Sequence, residues 1–153
     1  ELTQKAINKY DIFLMTPSIK IKDKMNVGCA INSGSFMEMR MKDIKNYFEI
    51  IEKNLIIDGF FFNNNRYFKD SSGEKIKLYC YPYSKKWKVV YSENYLNFRR
   101  LHSLIVKKID FDSDEIFFEL NKIKKLTSNH DYPDFIPIKI MQAYKNLKKL
   151  FKS

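Results

Sequence analysis

Cys29-Ala30-Ile31-Asn32-Ser33-Gly34-Ser35-Phe36-Met37-Glu38-Met39, followed further on by Gly59-Phe60-Phe61-Phe62-Asn63-Asn64-Asn65-Arg66, is the part of the chain that decides its fold. Each block runs from a continuous apolar segment into small polar residues, the pattern of a buried strand ending in a bend. Between them, Arg40 to Leu55 carries Ile44, Tyr47, Phe48, Ile51 and Leu55 at helical spacing, with Lys42, Lys45, Glu49, Glu52 and Lys53 elsewhere. That spacing predicts a helix with one buried stripe. Asp58-Gly59 is a stop signal, so the next strand is expected to start at Phe60. Strand, helix and strand make one crossover unit of a parallel sheet. Both polar bends then fall at the strands' carboxyl ends, the edge of an open α/β sheet where ligands bind.

Working outward, Ile12-Phe13-Leu14-Met15 is a short apolar run stopped by Thr16-Pro17-Ser18, which predicts a first buried strand. Glu1 to Asn8 reads as the end of a helix, Ile19 to Asn26 as a solvated connection, and Val27 to Asn32 as the second strand. Gly28 in that strand suggests a place where another backbone or a ligand comes close. Tyr67 to Trp87 holds the turn Ser71-Ser72-Gly73 and the aromatics Tyr79, Tyr81 and Tyr83, and reads as an insertion or lid with hairpin character. Lys88 to Tyr91 and Arg100 to Val106 are expected as two further strands joined through Glu93 to Phe98. A helix is predicted from Asp112 to Leu126 with Ile116, Phe117, Leu120 and Ile123 on one face. After Pro133 and Pro137, Ile138 to Phe151 predicts a basic helix with Ile140, Met141, Tyr144, Leu147 and Phe151 inward.

A chain of 153 residues that is 44% hydrophobic can bury one core. No apolar stretch reaches the roughly 18 residues of a membrane span, and the first residues have no signal-peptide pattern, so a cytoplasmic location is expected. Cys29 and Cys80 sit in apolar surroundings and are read as buried, reduced thiols. The balance of 28 Lys+Arg against 18 Asp+Glu points to an anionic partner, although the abundance of Ile, Asn, Phe and Tyr suggests AT-rich codons that would inflate Lys too. His102 and His130 stand far apart with no ligand spacing, and Asp110, Asp112, Asp114 and Glu115 lack the glycine of a calcium loop, so no metal site is expected.

The polar groups each have two readings. Asn32-Ser33-Gly34-Ser35 offers unpaired N–H groups and space for a ligand, or Ser35 and Glu38 close an ordinary capping box. Glu38, between Phe36, Met37 and Met39, suits a proton acceptor if chemistry occurs here. Asn63, Asn65 and Arg66 suit a polyhydroxylated or anionic substrate, or simply make a polar loop. His102 is either a packed core residue or a second candidate base. Tyr79, Tyr81, Tyr83 and Trp87 beside Lys85, Lys86 and Lys88 could stack bases or sugars, or pack as core. The lysines of the final helix suit anionic lipid or nucleic acid, or a solvated helix end.

A strand closing on Asn, a Ser-x-x-Glu-Met turn, a helix and a strand closing on Asn-Arg resemble the second half of a class I S-adenosylmethionine-dependent methyltransferase. The closest likeness is to sugar O-methyltransferases of bacterial surface-polysaccharide and capsule clusters, and it spans Tyr10 to Lys108. The resemblance implies an α/β fold, a Rossmann-like sheet with parallel strands plus a terminal antiparallel pair. Residues 1–110 would form the C-terminal half of that domain, with 66–87 as lid or insertion, and 111–153 a helical extension. It implies S-adenosylmethionine contacts at Thr16, Ser18, Asn32, Ser33 and Gly34, and a sugar, nucleotide-sugar or glycan substrate at Asn63, Asn65 and Arg66. Catalysis would fall to Glu38, with His102 second. The four glycines, Gly28, Gly34, Gly59 and Gly73, include no Gly-x-Gly cofactor loop. An N-terminal half or a homo-oligomer is therefore expected to accompany the chain, which alone would be inactive. Two other functions fit the residues: a basic nucleic-acid-binding module, and a non-catalytic partner in a glycan-synthesis assembly.

Overall fold

The computed structural model describes residues 24–71, 73–94 and 101–128. The expected first strand with Thr16 and Ser18, the joining piece around 95–98 and the final basic helix lie outside them. In chain order the elements are β1 (Val27–Ser33), a 3-10 turn (Phe36–Glu38), α1 (Met41–Asn54) and β2 (Leu55–Arg66). They continue with β3 (Phe68–Ser71), β4 (Glu74–Lys77), a second 3-10 turn (Leu78–Cys80), β5 (Trp87–Asn94), β6 (Leu101–Lys108) and α2 (Glu115–Ser128).

β1 and β2 are parallel, with Cys29 opposite Phe60 and Ser33 opposite Asn64, as the crossover pattern requires. The four-stranded sheet has the order β1-β2-β6-β5, and β6 runs antiparallel to both of its neighbours. The fold is therefore α/β with a mixed sheet, two of whose three pairings are antiparallel, rather than a mostly parallel one. For β5 and β6 the cause is connection length: they are too close in sequence for a crossover, so they pair antiparallel.

α1 buries Ile44 and Phe48 against the sheet, the stripe its spacing predicts. Its ends are held from a distance. The Glu74 carboxylate accepts the Met41 N–H at 2.9 Å, and the Lys108 ammonium donates to the carbonyls of Glu52 and Leu55. These satisfy groups that a helix cannot satisfy within itself.

β2 departs from expectation at both ends. It starts at Leu55, directly after α1, and absorbs Asp58-Gly59 as a bulge in which Asp58 has φ 64. It also runs through Asn63–Arg66 instead of bending, because β6 pairs with those residues from Leu104 to Leu101.

The stretch expected as a lid is core. Ile76, Leu78, Tyr81, Tyr83 and Trp87 are all buried beside Phe36, Phe48 and Phe61. Phe48 meets Tyr83 edge-on, with ring centroids 4.7 Å apart. Lys85 and Lys86 bind Asp114 and Asp112, so the aromatics and lysines form no stacking platform. α2 covers this core with Ile116, Leu120 and Ile123, while Phe117, expected on the same face, is turned toward solvent. Cys29 and Cys80 are free thiols, as expected, but both are exposed rather than buried. Among the described residues no helix is long and apolar enough to cross a membrane.

Candidate functional site

The parallel pairing delivers the two polar blocks to one rim. The Gly34 N–H donates to the Asn64 carbonyl at 2.8 Å, tying the bend after β1 to β2, and Gly34 takes φ 74, a left-handed conformation that glycine adopts without steric cost.

Side-chain direction then separates the rim into a buried and an exposed part. Asn63 and Asn65 are both 0% exposed and Asn32 is nearly so. The Asn65 amide donates to Asn32 Oδ1 at 2.7 Å and to Asn63 Oδ1. Asn63 Nδ2 donates in turn to the Tyr83 hydroxyl at 2.8 Å, and Asn32 Nδ2 to Ser35 Oγ. Burial pushes the Tyr83 phenol up, with the Asn63 bond acting the other way, so the hydroxyl stays neutral and able to accept. Asn32, Asn63 and Asn65, expected to contact cofactor or substrate, instead hold one another. Within this asparagine network one buried oxygen, Asn65 Oδ1, has no partner among the described residues.

Ser35 makes no capping bond to the 3-10 turn, and its hydroxyl is committed to Asn32. The capping box is therefore absent. Glu38 projects outward and pairs with Lys69 on β3, so its carboxylate is fixed beside the chain leaving β2. Arg66 ends β2 with an exposed side chain. The accessible rim thus consists of Ser33, Ser35, Glu38 and Arg66, with Gly34 half-buried between them. Hydroxyls, a carboxylate and a guanidinium suit a small ligand with several oxygens. Thr16 and Ser18 lie outside the described residues.

His102 occupies a separate, closed cluster. It is 2% exposed, with Nδ1 2.7 Å from the Tyr67 hydroxyl and Nε2 2.8 Å from Ser92 Oγ. Ser92 donates its proton to Glu119 on α2 at 2.5 Å, so its oxygen can only accept from His102. That arrangement withholds the serine proton from the imidazole and leaves no activated nucleophile. Burial lowers the His102 pKa to about 4, against the pull of Glu119, and burial and then Glu119 raise Tyr67 to about 12. Neutral His102 ties α2 to the sheet, and its burial removes it from the rim surface.

An open groove of about 570 Å³ runs along α1, lined by Lys45, Glu49, Glu52, Lys53, Pro82 and Lys108. It lies by the start of β2, where Lys108 holds the Leu55 carbonyl, at the opposite end of the sheet from the rim. Its groups already serve the fold: Glu52 accepts from Ser84 at 2.9 Å, and Lys108 binds two carbonyls. The partners Lys69 and Tyr83 at the rim and Glu119 in the His102 cluster lie twenty to about thirty residues from the groups they hold, and no local sequence signal marks them.

Compared with known proteins, the chain matches no family model, no curated protein and no solved structure.

Proposed function

We propose that this chain forms part of an S-adenosylmethionine-dependent O-methyltransferase acting on a sugar hydroxyl, with its reacting edge at the rim of β1 and β2. The observation that supports this reading is the parallel register Asn32 to Asn63 and Ser33 to Asn64, which gathers both polar blocks at one carboxyl edge. The antiparallel β5–β6 pair at the far side of the sheet agrees with the terminal pair that the resemblance implies.

The described residues offer the cofactor's methionine end the Ser33-Gly34-Ser35 bend, whose backbone is held at Gly34 by Asn64. They offer no glycine loop, so the adenosine part depends on residues outside this set. When bound, S-adenosylmethionine supplies an electrophilic methyl group on a sulfonium. Arg66 would orient the acceptor sugar through its guanidinium, and Glu38, positioned by Lys69, would take the hydroxyl proton as the oxygen–methyl bond forms and the methyl–sulfur bond breaks, the sulfur leaving as a neutral thioether. The buried asparagines set the shape of the bend without touching substrate.

Methyl transfer from labelled S-adenosylmethionine to nucleotide-sugar and glycan acceptors, measured on the gene product that carries this chain, tests the reading. Glu38→Gln is expected to lower kcat by about 100-fold while cofactor affinity is retained. A gene product that neither binds the cofactor nor methylates any acceptor would refute it.

A further inference from the structure

The His102 cluster holds one hydrogen fewer than its contacts ask for when the ring is neutral. Tyr67 has a single hydroxyl hydrogen and two partners: its oxygen lies 2.7 Å from His102 Nδ1, and it donates to Asn94 Oδ1. Ser92 meets the same choice at the other ring nitrogen and resolves it, because the Glu119 carboxylate takes its hydrogen at 2.5 Å in a charge-assisted bond. Nε2 must then carry a hydrogen to bond Ser92 Oγ at 2.8 Å. In a neutral imidazole this leaves Nδ1 as a bare acceptor. Lone pairs on Nδ1 and on the Tyr67 oxygen repel if no hydrogen lies between them, so the neutral ring takes the Tyr67 hydrogen. Asn94 must then present Nδ2, not Oδ1, to the phenol oxygen. When Nδ1 gains a proton the roles reverse: the ring donates to Tyr67, and Tyr67 donates to Asn94 Oδ1. The Oδ1 contact in the structure is the one that suits the charged ring.

We propose that Tyr67 relays the protonation of buried His102 to the exposed end of β5, where the Asn94 amide turns end for end. With neutral His102, Asn94 shows its carbonyl oxygen to solvent; with charged His102 it shows its NH2 group. A surface position thus changes from hydrogen-bond acceptor to donor as the buried ring charges. Both states keep every contact in the chain Glu119, Ser92, His102, Tyr67 and Asn94, so neither leaves a buried polar atom unpaired. Only the Asn94 amide has to rotate, and Asn94 is exposed. Among the described residues, the charged groups that act on the ring come from α2: Glu119 favours the proton and Lys122 opposes it. β2 sets uncharged Asn65 opposite His102, with its amide committed to Asn32 and Asn63. Glu93 on β5 accepts from Tyr91. Tyr67 keeps its hydrogen throughout, since burial and then Glu119 push its pKa up to about 12. The relay involves none of the exposed rim groups and stands apart from the reaction proposed for them.

Side-chain NMR of the intact chain tests the relay. With a pKa of about 4, about a tenth of the imidazole is already protonated at pH 5, enough to displace its ring signals from their positions at pH 7. Over that range the side-chain amide signals of Asn94 should move in proportion to those of His102. In Tyr67→Phe the His102 signals should still move, and the Asn94 displacement should be lost. Asn94 signals that stay still while His102 titrates would overturn the proposal, as would equal Asn94 displacements in the native chain and in Tyr67→Phe. A second measurement needs no variant: the ring nitrogen signals at pH 7 should place the hydrogen on Nε2. A hydrogen on Nδ1 at that pH would also overturn the proposal, because Tyr67 could then donate to Asn94 in the neutral state as well.

Discussion

Asn65 shows how far one buried amide can be committed by its surroundings. Its Nδ2 group supplies both Asn32 and Asn63, and all three side chains lie inside the rim. Asn65→Ala leaves two buried carbonyl oxygens without a donor, and each such loss costs about 1–3 kcal/mol. Urea denaturation should show a loss of about 2–4 kcal/mol with an unchanged m-value. In the Asn32→Ala background the same substitution should cost clearly less, since one of those oxygens is already gone. The sequence placed Asn32 at the end of one strand, which holds, and Asn63 and Asn65 in a bend after the next, where β2 instead continues as a paired strand. It did not say which way they face, because an asparagine has the same turn preference whether its amide meets water or a second asparagine.

At the scale of elements, α1 and the parallel pair were legible because periodicity and an apolar run are local signals. The close approach between β1 and β2 was assigned to the wrong glycine. A Cβ on Gly28 meets nothing within 4 Å, whereas on Gly59 it would lie 2.9 Å from the Ile56 carbonyl oxygen and 3.1 Å from that of Gly28. Backbone atoms at that distance cannot yield as a side-chain tip can. Gly59→Ala should therefore destabilise by about 1–3 kcal/mol in thermal or chemical unfolding, while Gly28→Ala stays within about 0.5 kcal/mol. The bulge that creates this demand exists because β2 starts at once after α1 and must slip against β1, which depends on pairing rather than on either glycine's neighbours.

For the whole molecule, the His102 cluster links β5, β6, α2 and the end of β2, so its protonation bears on global stability. Burial holds the folded pKa near 4 against an ordinary 6.5, and the unfolded chain therefore binds more protons between those values. Stability is full above about pH 7, falls as the pH drops through 6.5, and the loss is complete only below about 4. Lowering the His102 pKa from 6.5 to about 4 corresponds to about 3 kcal/mol. Unfolding midpoints at pH 7 and pH 4.5 should differ more in the native protein than in His102→Gln. An equal difference in both would remove His102 as the cause.

Among the described residues, the sequence by itself determined that the chain is α/β, that helices fall at about 41–54 and 115–128, and that β1 and β2 run parallel with polar residues at one rim. Those properties follow from period, length and stop signals read within about twenty residues. Only the tertiary structure decided that the Tyr67–Trp87 stretch is core rather than cover, that three asparagines face inward, that Glu38 pairs with Lys69 and that His102 is locked between Tyr67 and Ser92. Each of those outcomes depends on a partner distant in the chain. A side chain's own type records that it needs a partner, and the fold alone brings one within reach.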